Sequence, residues 1–392
     1  MTAPPAPPPL SLYVHMPWCV RKCPYCDFNS HAAPAQIPQR GYVEALLQDL
    51  ESDLPDVRGR SLDSIFFGGG TPSLFAPEEI GRLLEGVRAR IDFDPDIEIS
   101  LEANPGTIEH GRFASYRAAG VNRVSLGAQS FEQAHLQALG RIHDSGDIVR
   151  AVEELLSAGI GNFNLDLMYG LPGQTLAQAL ADLEAALRLA PTHLSHYQLT
   201  LEPGTVFYHR PPSLPDGELI WRMQTECQAR LAARDFSQYE VSAYACPGQR
   251  SRHNLNYWEF GDYLGIGAGA HGKLTISWPG RQQVLRTLRT RMPRTYMAQA
   301  PAQRRCERRL VPLEDLPFEY MLNALRLVEG FEEADFEART GLESAVVAPT
   351  LAAAQQRRLI ESVTRQEGST RWRPTELGRR FLNDLQQMFL PK

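Results

Sequence analysis

Long apolar runs and a strong net charge are both absent from this 392-residue chain. No stretch approaches the ~20 consecutive apolar residues that a membrane-spanning helix needs. The net charge of −6 is mild, so we expect no general binding of nucleic acid. The first nine residues, MTAPPAPPP, lack the basic start and the apolar segment of a signal peptide. They predict a disordered, proline-rich tail over residues 1–9.

Cysteine is also scarce. Of the six cysteines, Cys227, Cys246 and Cys306 are scattered singly through the second half of the chain. That usage suits a reducing compartment and predicts a cytoplasmic protein. We interpret each of these three as a small, buried apolar residue rather than as a ligand.

The other three cysteines form a cluster. Cys19, Cys23 and Cys26 lie within eight positions at C-x3-C-x2-C spacing, just after a β-like run from Leu12 to His15. Three thiolates this close together can bind one soft metal centre from a single loop. A cubane iron–sulfur cluster needs four ligands, so a loop that supplies three leaves one iron open. The pattern therefore favours a [4Fe-4S] cluster with an open coordination site.

Two other interpretations of this loop remain open. Two of the cysteines could form a disulfide, although the spacing is tight and the chain lacks a secretory signal. A structural zinc site could use the three cysteines with His15 or His31 as the fourth ligand. Zinc motifs usually bring a second ligand pair from farther along the chain, and no second C-x2-C or H-x3-H follows here.

The chain beyond the cysteine loop alternates between short β-like runs and amphipathic helices. Six such units are recognisable up to residue 234, which predicts parallel strands covered by helices. Eight units would close a full barrel. We therefore predict an α/β fold, an open (β/α)6 partial TIM-like barrel, over residues 10–280.

Glycine and polar side chains follow the predicted strands. In parallel α/β folds, ligands bind at the carboxyl ends of the strands. The residues at or just beyond those ends are Gly68, Gly69, Gly70, Thr71, Glu102, Gln129, Arg141 and Asp166. Their convergence predicts one binding site. Alone, the glycine turn would be ordinary, and Glu102 could equally be a solvated loop acid.

The last third of the chain has a different character. Residues 238–274 are aromatic and glycine-rich, and we interpret them as a junction after the barrel. Residues 281–312 are basic and lack clear periodicity, which predicts a linker. Residues 313–392 contain amphipathic helices and two short β-like pieces, which predict a smaller helical, winged-helix-like C-terminal domain.

These motifs together resemble a known family. The cysteine spacing, with Tyr25 just before the last cysteine, resembles the radical S-adenosylmethionine superfamily. Within it, YVHMPWCVRKCPYCDFNS, FFGGGTPS, EANPGT, SLGAQSF, GRIH, NLDLMYGLPGQT and GIGAGAHG match, in order, segments of the oxygen-independent coproporphyrinogen III oxidase-like family. The resemblance implies cluster ligands at Cys19, Cys23 and Cys26. It implies S-adenosylmethionine contacts at Tyr13, Tyr25, Gly69, Gly70, Thr71, Glu102, Gln129, Arg141 and Asp166.

One difference separates two branches of that family. The oxidase branch carries a further cysteine two places after the third one, together with a longer N-terminal region. Phe28 occupies that place here, and few residues precede the first strand. Both features resemble the HemW branch, the heme chaperones. So does the segment Arg252-His-Asn-Leu-Asn-Tyr-Trp258, which is similar to that branch's H-N-x-x-Y-W signature.

The resemblance sets several expectations. It implies heme contacts at His253, Asn254, Tyr257 and Trp258, with His271 as the second candidate for the iron ligand. An imidazole beside aromatic rings suits heme, although a histidine satisfied in a packed junction would have the same sequence. Expected partners are heme, acceptor hemoproteins that include respiratory membrane enzymes, and an electron donor. Peripheral contact with the inner face of a membrane is implied by resemblance only. The rival expectation is the oxidase itself, which decarboxylates coproporphyrinogen III by radical chemistry.

Overall fold

The protein is described by a computed structural model that covers residues 7–106, 111–278, 281–364 and 369–391. Residues 1–6 of the predicted tail lie outside this range. No helix within the described residues is both long and apolar enough to cross a lipid bilayer.

The strands are numbered in chain order. They are β1 (Leu10–Met16), β2 (Trp18–Cys19), β3 (His31–Ala32), β4 (Ser61–Gly69), β5 (Asp92–Ala103), β6 (Arg123–Gln129), β7 (Phe163–Tyr169), β8 (His193–Gln198), β9 (Ser237–Gln238), β10 (Ala243–Ala245), β11 (Asp262–Ile266), β12 (His271–Trp278), β13 (Arg281–Arg289), β14 (Arg305–Leu310), β15 (Phe331–Glu332), β16 (Ile360–Thr364) and β17 (Thr370–Pro374).

The α-helices are numbered in the same way. They are α1 (Gln39–Glu51), α2 (Pro77–Arg88), α3 (Phe113–Ala119), α4 (Gln133–Ala138), α5 (Ser145–Ser157), α6 (Leu176–Arg188), α7 (Val206–His209), α8 (Gly217–Ala232), α9 (Arg252–Trp258), α10 (Pro293–Ala298), α11 (Pro301–Arg304), α12 (Leu316–Ala324), α13 (Glu333–Thr340), α14 (Ala348–Gln356), α15 (Glu376–Arg380) and α16 (Leu382–Gln387).

Six parallel strands form the centre of the main sheet. They lie side by side in the order β1-β4-β5-β6-β7-β8, and each is hydrogen-bonded to the next. Helices connect each strand to the one that follows it. Strands such as β1 and β7 are buried on both faces because helices cover one side and the sheet curves around the other. The sheet does not close on itself. The predicted open (β/α)6 partial barrel is therefore confirmed.

The main sheet extends beyond these six strands at both edges. At one edge β11 pairs in parallel with β1, and β12, β13 and β14 follow in antiparallel order. At the other edge β10 pairs antiparallel to β8, and β9 pairs antiparallel to β10. The full order is β14-β13-β12-β11-β1-β4-β5-β6-β7-β8-β10-β9.

The predicted linker over residues 281–312 is wrong. The described part of this segment holds β13, α10, α11 and β14, and both strands belong to the main sheet. Its arginines are not linker charges: Arg289 is fully buried between the carboxylates of Asp49 and Asp53. Buried charges that are neutralised by tertiary partners leave no hydrophobic period in the sequence, so the pattern was misinterpreted.

The C-terminal residues build a smaller unit with its own hydrophobic core. Helices α12 to α16 surround a three-stranded antiparallel sheet in the order β15-β17-β16. Phe331, Phe336 and Leu385 lie in that core, and Phe260 joins it from the barrel. The finer boundaries proposed for the domains stay a prediction.

Candidate functional site

The cysteine loop begins where β1 ends. Strand β2 pairs with β3, so residues 19 to 31 are closed into a loop at the carboxyl end of the sheet. Lys22 Nζ donates to the Phe28 carbonyl at 3.2 Å, and this hydrogen bond joins the two sides of the loop. The three thiols are free and half-buried, and all six cysteines of the chain are unbridged. The disulfide interpretation is therefore wrong for this structure.

The three thiols line one cavity. Within the described residues, no group of three or more His, Cys, Asp or Glu side chains is placed to hold a single metal ion. Burial raises the pKa of the Cys19 thiol and of the Cys26 thiol. A positively charged metal centre would favour the thiolates that this burial disfavours.

The glycine turn after β4 packs its backbone against the cysteine loop. The Gly70 N–H donates to the Met16 carbonyl at 2.7 Å, and the Thr71 N–H donates to the Trp18 carbonyl at 2.8 Å. A Cβ at residue 70 would lie 2.6 Å from the Trp18 oxygen, and one at residue 69 would lie 2.4 Å from the His15 ring. Only glycine lets the two segments approach this closely.

Two buried carboxyl groups face the cavity. Glu102, the penultimate residue of β5, accepts from the Gly69 N–H at 3.1 Å. Asp166 on β7 accepts from Asn164 at 2.8 Å and from Ser125 at 3.1 Å. Burial, followed by the negative charge of Asp166, raises the pKa of Glu102 to about 8. Burial also raises the pKa of Asp166. Two such carboxyls favour a ligand that carries positive charge.

Arg141 reaches the cavity from the turn after α4. Its guanidinium donates to the Gly127 carbonyl at 2.8 Å, contacts the Cys23 sulfur at 3.6 Å and hydrogen-bonds Asn104. Asn104 in turn donates to the Thr71 hydroxyl at 2.9 Å. The Arg141 guanidinium thus connects the cysteine loop, the glycine turn and the strand ends, and it supplies a cation suited to binding a carboxylate. Sequence reasoning missed Asn104, which lies two residues after Glu102.

Gln129 ends β6 in a left-handed conformation, with φ of 67°. A side chain in this region is uncommon outside glycine, and such strain is frequent at binding sites. The Tyr197 hydroxyl donates to Gln129 Oε1 at 2.7 Å, so the amide N–H group of Gln129 is left for another acceptor. Sequence reasoning missed Tyr197. The strand-end rule applied to β8 would have found it.

These side chains meet in one cavity of about 260 Å³. Its wall includes Cys19, Cys23, Tyr25, Cys26, Gly69, Gly70, Thr71, Glu102, Gln129, Arg141 and Asp166 from the predicted set, and Asn104, Ser125, Gly127 and Tyr197 outside it. Tyr13 does not line the cavity, because its hydroxyl bonds His15 Nδ1 at 2.9 Å beneath the glycine turn. The cavity thus combines thiols, acids and a guanidinium, a set suited to a zwitterionic cofactor beside a metal cluster.

The residues predicted to bind heme lie elsewhere. They belong to α9, whose first N–H groups donate to the Glu98 carboxylate and which packs against β4, β1 and α12. The His253 ring stacks on Phe66 at 4.3 Å and is 2% exposed. Because Glu98 precedes Glu102 on β5, this helix lies toward the amino end of the strands.

Helix α9 has an unusual number of unsatisfied polar atoms. Three of them, His253 Nδ1, Asn256 Oδ1 and Trp258 Nε1, are buried without a hydrogen-bond partner among the described residues. Burial lowers the pKa of His253 to about 3, so the imidazole is neutral and its nitrogen carries a free lone pair or proton. An orphaned buried donor or acceptor suggests a missing ligand or a second conformation.

The remaining histidines divide into two groups. His271, the second heme candidate, is exposed at the start of β12. Its pKa is lowered first by the partial burial of the ring and then by the charges of Arg286 and Arg291. His193 and His196 are buried in the sheet, where His193 bonds Asn164 at 2.7 Å and Tyr239 at 2.8 Å. Among the scattered cysteines, Cys227 is buried as expected, whereas the expectation is wrong for Cys306, which is exposed.

Comparison with known families assigns the two parts of the chain. Residues 13–186 match the model of the radical SAM superfamily, and residues 311–381 match the HemN C-terminal domain. Among solved structures, coproporphyrinogen III oxidase (HemN) from Escherichia coli is similar, with a TM-score of 0.80 and 24% identity over 98% of this chain and 90% of that one. That likeness shows the fold.

Curated relatives are similar over nearly the whole chain. Heme chaperone HemW of Escherichia coli (strain K12) is 49% identical over 383 residues, covering 98% of both chains. Heme chaperone HemW of Haemophilus influenzae is 48% identical over 387 residues, again with 98% coverage of both. The mitochondrial radical S-adenosyl methionine domain-containing protein 1 of Bos taurus is 38% identical over 78% of this chain and 70% of its own.

Proposed function

The chain belongs to the HemW family of radical SAM proteins, and on that premise we propose that it is a heme chaperone with three cofactors. It holds a [4Fe-4S] cluster and S-adenosylmethionine in the cavity at the carboxyl end of the sheet. It also binds heme and delivers it to acceptor hemoproteins. The observation that carries the proposal is the meeting of three free thiols, two buried carboxyls and Arg141 in one cavity.

The cysteine loop fits a cubane cluster. Cys19, Cys23 and Cys26 are unbridged, half-buried and presented by one loop, and the Arg141 guanidinium lies 3.6 Å from the Cys23 sulfur. When bound, the cluster would supply one-electron chemistry to S-adenosylmethionine held in the same cavity.

The remaining cavity residues suit that cofactor's charges. Burial raises the pKa of both carboxyls, Glu102 and Asp166, so a cationic amine or sulfonium bound beside them would favour their ionised forms. Arg141 presents donors to a carboxylate. The Gln129 amide, held by Tyr197, can read a ribose hydroxyl or a base edge. Asn104 fixes Thr71 and Arg141 relative to each other.

Heme binding at His253, Asn254, Tyr257 and Trp258 stays a prediction. The orphaned His253 nitrogen and the orphaned Trp258 indole N–H support it, because both are buried polar atoms without partners among the described residues. His253 is nevertheless enclosed between Phe66 and Tyr257. Iron could reach this imidazole only after α9 moves, so we expect heme loading at His253 to be slow.

Heme titration followed by absorption spectroscopy tests the ligand. We expect His253→Ala to change the heme bands and His271→Ala to leave them unchanged. The opposite result would move the iron ligand to His271, at the cavity end of the sheet. No heme binding by either variant or by the wild type would overturn the chaperone proposal itself.

Anaerobic reconstitution tests the cavity. We expect iron and sulfide contents that match one cubane, and an electron paramagnetic resonance spectrum of the reduced cluster that changes on adding S-adenosylmethionine. Incubating the same sample with coproporphyrinogen III distinguishes the oxidase branch. Formation of protoporphyrinogen would contradict the chaperone assignment. That assignment is favoured by Phe28, which stands where the oxidase branch carries a further cysteine.

A further inference from the structure

Six large apolar side chains are exposed around the opening of the cavity. They are Val20, Phe28, Ile142, Val206, Tyr208 and Met292, with exposed fractions of 47 to 62%. We refer to these six residues as the mouth rim. Scattered exposed apolar residues are ordinary, but a cluster on one face indicates an interaction surface.

The mouth rim is one surface, because each of its segments contacts the cysteine loop. The Phe207 N–H donates to the Pro24 carbonyl at 3.0 Å. The Asn29 amide donates to the Arg291 carbonyl at 2.9 Å. The turn that carries Ile142 packs Gly140 on Pro24, so closely that a Cβ there would lie 2.9 Å from the proline ring. Val20 and Phe28 thus lie on the loop that presents the three thiols, and the other rim segments contact that loop.

The charge of this surface is opposite to that of the whole chain. In segments 20–28, 140–144, 206–210 and 291–294, the exposed cations are Arg21, Lys22, Arg210, Arg291 and Arg294, and the exposed acids are Asp27 and Asp144. Five cations against two acids leave an excess of three positive charges, whereas the chain carries −6. Such a patch attracts an acidic partner and orients it before contact.

We propose that the mouth rim is the docking surface for a small, acidic electron-transfer protein. This inference rests on the proposed function, since a cluster held by Cys19, Cys23 and Cys26 must be reduced before it can cleave S-adenosylmethionine. In the transfer the carrier loses one electron and the cluster gains it, and no bond forms between them. The apolar side chains exclude water at the centre of the contact, and the cations form its edge.

Reduction kinetics test the surface. The protein is reconstituted with its cluster, mixed anaerobically with a reduced plant-type ferredoxin, and followed by stopped-flow absorbance. We expect Arg210→Glu combined with Arg291→Glu to slow the bimolecular reduction about tenfold at low ionic strength. Reduction by dithionite, which needs no docking, should keep its wild-type rate. Arg188→Glu combined with Arg357→Glu changes the net charge by the same amount at exposed positions elsewhere. This control variant should be reduced by ferredoxin at the wild-type rate.

The apolar part of the rim is tested separately. Tyr208→Ser combined with Met292→Ser should weaken binding of oxidised ferredoxin to the metal-free chain, as measured by surface plasmon resonance, with little change in the salt dependence. This readout needs no cluster. Equal ferredoxin binding and equal reduction rates in all variants would overturn the docking surface. If the rim variants lose heme binding but keep the wild-type rate of reduction, the rim binds the tetrapyrrole instead. That result would also overturn the docking surface. A wild-type protein that assembles no cluster would overturn the proposed function instead.

Discussion

Cys23 is the cysteine most closely connected to the rest of the site, through the Arg141 guanidinium. Two thiolates cannot retain a cubane, so Cys23→Ala should lose the cluster. Iron and acid-labile sulfide, measured after anaerobic reconstitution, should fall to background. Cys306→Ala removes an exposed thiol far along the chain and should keep the full content. A full cluster in the Cys23 variant would contradict the ligand assignment.

Glu102 makes stability depend on pH. Burial and Asp166 raise its pKa from the usual 4.5 to about 8, so the folded state favours the protonated carboxyl. Its contribution to the free energy of unfolding is complete below pH 4.5 and is lost as the pH rises through 8. Glu102→Gln should therefore flatten the fall of the melting temperature between these limits in the metal-free protein.

Thermal denaturation at a series of pH values measures this effect. Glu153→Gln is the matched control, because Glu153 is exposed on α5 and its removal should leave the wild-type curve unchanged. Asp166 retains its own raised pKa, so a smaller slope should remain in the Glu102 variant. Identical curves for the wild type and Glu102→Gln would mean that Glu102 is ionised in the folded protein.

At the scale of single residues, the sequence located the cavity well. Glu102, Gln129 and Asp166 follow from one rule, that polar residues at the ends of parallel strands converge. Tyr197 obeys the same rule on β8, but a tyrosine in a strand is more often a packing residue, so the sequence did not single it out. Tyr13 could not be placed from spacing, since whether a hydroxyl points into the cavity or toward His15 depends on tertiary packing.

The glycine turn illustrates how one element positions another. A Cβ at residue 70 would collide with the backbone oxygens of Met16 and Trp18, not with the cavity. Gly70→Ala should therefore displace the start of the cysteine loop and lower the free energy of unfolding by about 1–3 kcal/mol. Cluster content after reconstitution should fall with it. Gly161→Ala, where no atom lies within 4 Å, should change neither quantity.

At the scale of elements, prediction worked where the hydrophobic period was clean. The strands β4 to β8 and their helices alternate in the manner that period and turn residues predict. Prediction failed for the segment 281–312, because the burial of Arg289 depends on Asp49 and Asp53, more than 230 positions away in the chain. No local pattern contains that information.

The same ion cluster joins the sheet extension to the barrel. Arg289 on β13 pairs with Asp49 and Asp53 beside α1, and Arg305 on β14 also pairs with Asp53. Arg289→Met would leave buried carboxylates short of a partner, which should cost about 3–5 kcal/mol of unfolding free energy. Chemical denaturation measures it. Arg308→Met breaks an exposed pair with Asp56 and should cost less than about 1 kcal/mol.

For the whole molecule, the count of strand–helix units predicted an open barrel, and the structure has one. The antiparallel strands that widen it on both sides were not predicted. Short strands such as β9 and β10 carry too few residues for a period to be visible. The position of α9 was likewise inaccessible, because packing of a helix against a barrel end leaves no spacing signature.

Helix α9 lies toward the amino ends of the strands, and under the proposed function its placement restricts how heme could reach His253. The Phe66 ring stacks on the His253 imidazole, and the edge of the same ring lies against Gly68 at the start of the glycine turn. A macrocycle that pulls His253 outward must uncover that ring. Heme bound at His253, as proposed, would therefore disturb a ring that touches the glycine turn on which the cofactor cavity is built.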